Sequence, residues 1–262
     1  MQKRTPYEGV LNIVRFNWNY YLTAATLLLV GGGGLYWAWP WLATWMPAAL
    51  ARLVATGLVM GLAVAAYFLV ASLVVSHWVY DRAPLYRWQW LPAFLGREPR
   101  RALNVHAGLD ETSEPLGRAF PRTAWQVADF YDPTRHTEAS IARARRRYPA
   151  TAPFDRVSPA QLPYPDQRFD AVLVLFAAHE IRDAAERAAF FAEIRRVLTP
   201  GGALVLVEHA RDWANFAAFG PGFTHFLPAG EWLRRAAGAG LTVEKAERHT
   251  PFVRAWKMTR HD

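Results

Sequence analysis

The sequence predicts a doubly wound α/β domain preceded by a hairpin of two apolar helices. Two long uncharged runs in the first 80 residues carry the hairpin, and short apolar runs alternating with helical ones after Arg101 carry the α/β domain. The 262 residues allow one full-size domain and a small appendage. With no cysteine, disulfides, zinc–thiolate sites, iron–sulfur clusters and a cysteine nucleophile are excluded. The formal charge is +8, but the first hundred residues hold 8 basic and 3 acidic side chains, against 30 and 22 in the whole chain. The remainder is therefore close to balanced, and a nucleic-acid partner is not expected.

No charged side chain lies between Arg15 and Arg52. Spans are expected over about residues 20–41 and 53–80, since a hydrocarbon core needs roughly 20 apolar residues. Pro40 and Pro47 suit a tight connection between them. Trp18, Trp37, Trp39, Trp41, Trp45 and Trp78 cluster at the ends of the runs, where indoles favour the lipid–water interface. Lys3, Arg4 and Arg15 precede the first span, and Arg82, Arg87, Arg97, Arg100 and Arg101 follow the second, while the connection offers Arg52 alone. This bias places both termini and the following domain in the cytoplasm, beneath a membrane of the bacterial inner type. Gly31 to Gly34 permit close helix packing or a local break. The segment 82–100, rich in Trp, Arg and Pro, either lies along the headgroups or is a plain linker to a domain spanning 101–262.

After Arg101, strands are expected at Ala102–His106, Trp125–Phe130, Asp170–Phe176 and Ala203–Glu208. Between them lie helical patterns at Thr137–Tyr148 and Arg182–Leu198, the second stopped by Pro200-Gly201-Gly202. Leu241–Arg248 and Phe252–Thr259 read as a closing antiparallel pair around Thr250-Pro251. Alternation of this kind gives a parallel sheet covered on both faces, with ligands beyond the carboxyl ends of its strands.

The stretch LPYPDQRFDAVLV (Leu162–Val174) and the stretch EIRRVLTPGGALVLVEH (Glu193–His209) resemble the fourth-strand and fifth-strand motifs of the class I S-adenosylmethionine (SAM)-dependent methyltransferases. GEWLRRAAGAGLTVEKAE is similar to that family's last helix and sixth strand. The resemblance runs from about Arg101 to the C-terminus and is nearest to the branch acting on quinones, sterols and other lipids. It implies a Rossmann-like methyltransferase sheet, SAM as cofactor, and a hydrophobic or lipid acceptor, with the bilayer itself as a partner.

The family's D-x-G-x-G-x-G loop falls on Asn104-Val105-His106-Ala107-Gly108-Leu109-Asp110, where Gly108 alone of the three glycines is kept. The resemblance implies that Asn104, His106, Gly108 and Asp110 border the cofactor, with Asp110, Glu111 or Glu114 near its ammonium or sulfonium. It places Asp129 at the ribose hydroxyls, with Asp132 nearby in a turn before Pro133. It puts Ser158 where an acid usually meets the adenine amine, Asp155 lying three residues out of register, and Phe176 at the end of the fourth strand. His179, His209 and His225 fall at strand ends or in the loop beyond, each a base or a packing residue. Glu180 and Glu208 are placed to pair with the first two. Phe216, Phe219, Phe223 and Phe226 line an acceptor pocket or pack as a lid. The arginines 143, 145, 146 and 147 read as a solvated face or a headgroup contact. No zinc spacing, Walker loop, nucleophile elbow or base-stacking motif occurs. The rival to an enzyme is a membrane-bound scaffold of the same fold that no longer uses SAM.

Overall fold

The computed structural model describes residues 5–150 and 153–261, so Lys3 and Arg4 lie outside the described residues. A short helix α1 (Glu8–Phe16) leads into α2 (Trp18–Trp45), which Pro47 separates from α3 (Ala48–His77). Pro40 is inside α2 rather than in the connection. It costs one backbone hydrogen bond, which leaves too little disruption to end a helix this long and apolar. Both α2 and α3 are long and apolar enough to cross a membrane. Leu27, Leu29, Val30, Leu53, Val59 and Met60 on these helices are exposed, more apolar surface than a water-facing helix pair keeps. Of the four glycines, Gly31 is the packing point. A Cβ there would lie 2.9 Å from Leu62 Cδ2, whereas Gly32, Gly33 and Gly34 have open space.

The helix α3 ends in a π-helical turn, Trp78–Arg82. Asp81 in that turn accepts the N–H groups of Gly9 (2.6 Å) and Val10 (3.0 Å), so a carboxylate caps the positive end of α1. Segment 82–100 does not lie free along a surface. It forms a 3-10 turn and α4 (Leu91–Leu95), with Leu85, Trp88, Leu91, Phe94 and Leu95 buried. The indoles expected at headgroups are in part core residues, because the turn packs them against the sheet.

The sheet consists of β1 (Arg101–His106), β2 (Ala124–Asp129), β3 (Asp155–Arg156), β4 (Phe169–Leu175), β5 (Leu198–His209), β6 (Leu241–Thr250) and β7 (Val253–Arg260). Its order is β3-β2-β1-β4-β5-β7-β6, parallel from β3 to β5 and antiparallel at β7 and β6. Helices α5 (Ser113–Ala119), α6 (Ala139–Arg147), α7 (Ala184–Val197), α8 (Trp213–Phe219) and α9 (Ala229–Gly238) complete the chain. Strand period 2 sorts the core: Leu103, Val105, Val172 and Val174 meet Phe190, Phe191 and Trp232 of α7 and α9. Ala102, Ala171, Leu173 and Val205 meet Leu116, Phe120, Trp88 and Phe94 on the other face. Burial on both faces explains why β4 and β5 read as continuous apolar runs.

Candidate active site

The parallel strands β1, β2, β4 and β5 end along one edge of the sheet. Gly108, just beyond β1, has φ +96°, and a Cβ there would lie 2.9 Å from Tyr131 and 3.1 Å from Arg145 Nη1. The Gly108 N–H donates to His106 Nδ1 at 3.3 Å, which puts the proton of that neutral ring on Nε2. Burial holds the His106 pKa below its ordinary value against the charges of Asp129 and Asp110. Its buried Nε2 has no partner among the described residues.

Asp129 ends β2 and is buried. One carboxylate oxygen accepts from the Tyr131 N–H at 2.9 Å, and the other accepts from Arg145 Nη1 at 2.8 Å. Arg145 also donates to Gly108 O at 2.8 Å and lies 4.3 Å over the Tyr131 ring. The acid expected at a ribose is thus held by an arginine of α6. Of the arginines on that helix, Arg146 and Arg147 are exposed, as a solvated face would be, but Arg143 and Arg145 are not. Arg143 donates to Phe16 O and, at 3.1 Å, to Asn19, while Tyr148 donates to Glu8 (2.9 Å) and Asn12 (3.1 Å). These contacts fasten α6 to α1.

The other loop residues are committed locally. The Asn104 amide donates to Thr112 Oγ1 and Ser113 Oγ, both at 2.9 Å. Asp110 accepts the N–H groups of Thr112 (3.1 Å) and Ser113 (2.9 Å), anchoring the start of α5 instead of standing as a free carboxylate. Asp132 accepts the Thr134 N–H at 2.8 Å in the expected turn. Ser158 is exposed in a turn bridged to Gln161, and Asp155 on β3 accepts from Tyr164 Oη at 2.9 Å. Phe176 follows β4 with φ +55°, unusual for a bulky residue, and stacks on Tyr86 at 5.6 Å.

His179 and His225 come together. His179 Nδ1 lies 2.8 Å from Glu208 Oε2, and its backbone N–H donates to the same fully buried carboxylate at 3.2 Å. Glu208 therefore serves His179 across two strands, not its chain neighbour His209. On the other side, His179 Nε2 is 3.2 Å from Glu180 Oε1, which is 3.7 Å from His225 Nε2. Burial by itself would lower the His179 pKa, but the charge of Glu208 and the hydrogen bonds His179 donates to both carboxylates push it up to about 10. Burial likewise opposes ionisation of Glu180, and hydrogen bonds from His179 and His225 outweigh it, holding the carboxyl well below the usual carboxylate range.

His209 stands apart. Its Nδ1 faces two acceptors, Asn215 Oδ1 (3.2 Å) and Phe252 O (3.1 Å), so Nε2 accepts from Tyr80 Oη at 2.9 Å. Sequence reading gave no sign of Tyr80, which joins the turn after α3 to the end of β5. Tyr80→Phe is expected to leave a buried acceptor unmet and cost about 1–3 kcal/mol, read from the melting temperature in detergent. Burial and the charge of His179 push the His209 pKa down to about 4. An unfolded histidine takes a proton near pH 6.5, so between there and about 4 the unfolded chain binds more protons. Stability should then fall by roughly 3 kcal/mol as pH drops through this window, and His209→Gln should flatten that slope in melting curves.

Beside the histidine cluster is a cavity of about 540 Å³. Tyr21, Ser72 and Tyr80 form one wall, and Glu180, Phe219, His225 and Phe226 form the other. Phe216 packs on Phe68 of α3 at 5.7 Å, so the aromatic loop is docked on the long helices.

A methyltransferase domain family model matches residues 131–206. A demethylmenaquinone methyltransferase of Deinococcus radiodurans is 33% identical over 136 residues, covering 51% of this chain and 54% of the relative. The ubiquinone/menaquinone biosynthesis C-methyltransferase UbiE of Cupriavidus metallidurans is 36% identical over 126 residues, 47% of this chain and 49% of that one. The chain thus spans about half the length of the curated relatives it matches. A crystal structure of a Pyrococcus horikoshii protein shares the fold at TM-score 0.51 and 15% identity, covering 68% of this chain and 92% of that one. The strand order, the two strand motifs and the matched segment agree, and over its α/β domain the chain is similar to the class I SAM-dependent methyltransferases.

Proposed function

We propose that this protein is a membrane-anchored methyltransferase that uses SAM to methylate a hydrophobic, quinone-like acceptor drawn from the bilayer. The observation that carries this reading is the 540 Å³ cavity, whose walls come from both long apolar helices and from the strand-end cluster. Tyr21 lies near the start of α2 and Ser72 near the end of α3, which puts the cavity at one end of the hairpin. An anchored hairpin would hold that end at the lipid–water boundary, where an amphipathic acceptor presents its polar head. The names of the quinone methyltransferase relatives support the same acceptor class.

The residues around Gly108 fit the cofactor. The glycine cradle leaves no room for a Cβ, and His106 Nε2 is a buried donor in need of an acceptor. Asp129 would take the ribose hydroxyls once Arg145 withdraws, and Gly108 would let the backbone approach. Bound SAM supplies an electrophilic methyl group. The chain's own task is to hold the acceptor close and dry: Phe219 and Phe226 enclose its apolar part, while the end of the cavity lined by Glu180 and His225 faces its polar head.

The Arg145–Asp129 pair favours a second reading, a domain of this fold closed to SAM. Calorimetric titration of SAM into detergent-purified protein separates the two. Micromolar binding, followed by a 14-Da mass gain on a demethylmenaquinol incubated with protein and SAM, supports the enzyme. No binding at millimolar SAM by folded protein leaves the second reading.

A further inference from the structure

We propose that His179, Glu180 and His225 form a binding site for a divalent transition-metal ion on the wall of the acceptor cavity. One donor atom from each residue lies within 4.8 Å of the others. Around a tetrahedral ion with bonds of about 2.0–2.1 Å, neighbouring ligand atoms stand roughly 3.4 Å apart. The separations of 3.2 Å from His179 Nε2 to Glu180 Oε1, and 3.7 Å from that oxygen to His225 Nε2, bracket this value.

The surroundings are those of a built metal site. Glu208 is fully buried and holds His179 Nδ1 at 2.8 Å, which fixes the ring and turns Nε2 toward the other two ligands. A carboxylate behind a ligating histidine sets its tautomer and raises its basicity. Glu180 and His225 both line the cavity, so an ion there keeps open positions toward whatever enters. Two imidazoles and one carboxylate suit zinc, cobalt, iron or manganese rather than calcium or magnesium. No local spacing announces the site, because its ligands follow β4 and α8, 45 positions apart.

Arg182 occupies part of the space. Its Nη2 lies 2.8 Å from His225 Nε2 and 3.6 Å from Glu138, which lines the same cavity. The guanidinium is the positive charge that an ion would replace, and its half-exposed side chain can swing away from His225. On binding, the Nε2 proton of His179 leaves to solvent and the nitrogen lone pair goes to the metal. That the ion then meets paired oxygens of an acceptor rests on the methyltransferase reading; its binding does not.

The test is a Co²⁺ titration of untagged, detergent-purified protein, followed by its visible ligand-field band. A stoichiometric band is expected, with affinity lowered at least tenfold in Glu180→Gln and in His225→Ala and raised in Arg182→Ser. SAM titrations of the same variants report whether each is folded and whether the cofactor reading holds. Equal Co²⁺ affinity in wild type and both ligand variants, with SAM binding retained, overturns the site and leaves the methyltransferase reading in place. Loss of SAM binding with the cobalt band intact does the reverse.

Discussion

Asp129→Ala is expected to weaken SAM binding about 100-fold, and Arg145→Ala to strengthen it five- to tenfold. Asp129 is 3% exposed, and two ribose hydroxyls donating to a carboxylate in such a place are worth about 3 kcal/mol together. At 1.4 kcal/mol per decade this gives the first figure as a rough one. The opposite sign for Arg145 follows from the carboxylate having a ligand already, the guanidinium at 2.8 Å. The arginine side chain is 28% exposed, so its pair with Asp129 is partly screened and worth roughly 1 kcal/mol. Removing it takes away a competitor. It also frees the tie from α6 to Gly108 O, so a small loss in melting temperature should accompany the gain in affinity. Calorimetry on both variants reads the two signs directly. Weaker binding in Arg145→Ala would make the arginine a cofactor ligand rather than a competitor.

What could be seen in the sequence and what could not divides by distance along the chain. The strands at 101–106, 124–129 and 169–175 lie within one residue of their sequence-based positions, because each is a short apolar run set between polar segments. The closing hairpin β6–β7 was equally legible from its turn at Thr250-Pro251. Boundaries slipped where a rule about single residues met a long apolar context, as at Pro40, which α2 carries inside it. Segment 82–100 is ambiguous in the sequence for a related reason. Its tryptophans are as apolar in a core as at an interface, and whether the sheet reaches them is a tertiary matter.

The candidate site was legible in its residue types and not in its partners. Strand ends bring His179, His209 and His225 to one side of the sheet without saying which of them meet, and the sequence pairs Glu208 with its chain neighbour His209 although neighbours along a strand point to opposite faces and Glu208 reaches His179. Arg145 looked like one of several arginines in a run. Its role depends on α6 being fastened to α1 through Arg143 and Tyr148, contacts more than 120 positions apart in sequence. Tyr80 and His209 meet across 129 positions, again beyond any local signal.

Glu208→Leu is expected to destabilise the protein by about 3–5 kcal/mol, the usual effect of removing one member of a buried, hydrogen-bonded charge pair. Glu208 has no exposed surface, and its two oxygens serve His179 Nδ1 at 2.8 Å and the His179 N–H at 3.2 Å. Leucine fills the volume but leaves a buried N–H and a ring nitrogen without an acceptor. Glu208→Gln keeps a carbonyl oxygen for one of these donors and gives up the charge, so it should cost about half as much. Urea unfolding of the detergent-solubilised variants, with a chelator present to keep any bound ion out of the comparison, reads both. The order of the two also separates a positioning role from simple packing. If Glu208 merely filled space, leucine and glutamine would stand within about 1 kcal/mol of each other; if it orients His179, glutamine must be the milder change in stability and the retained fraction of turnover must follow the same order.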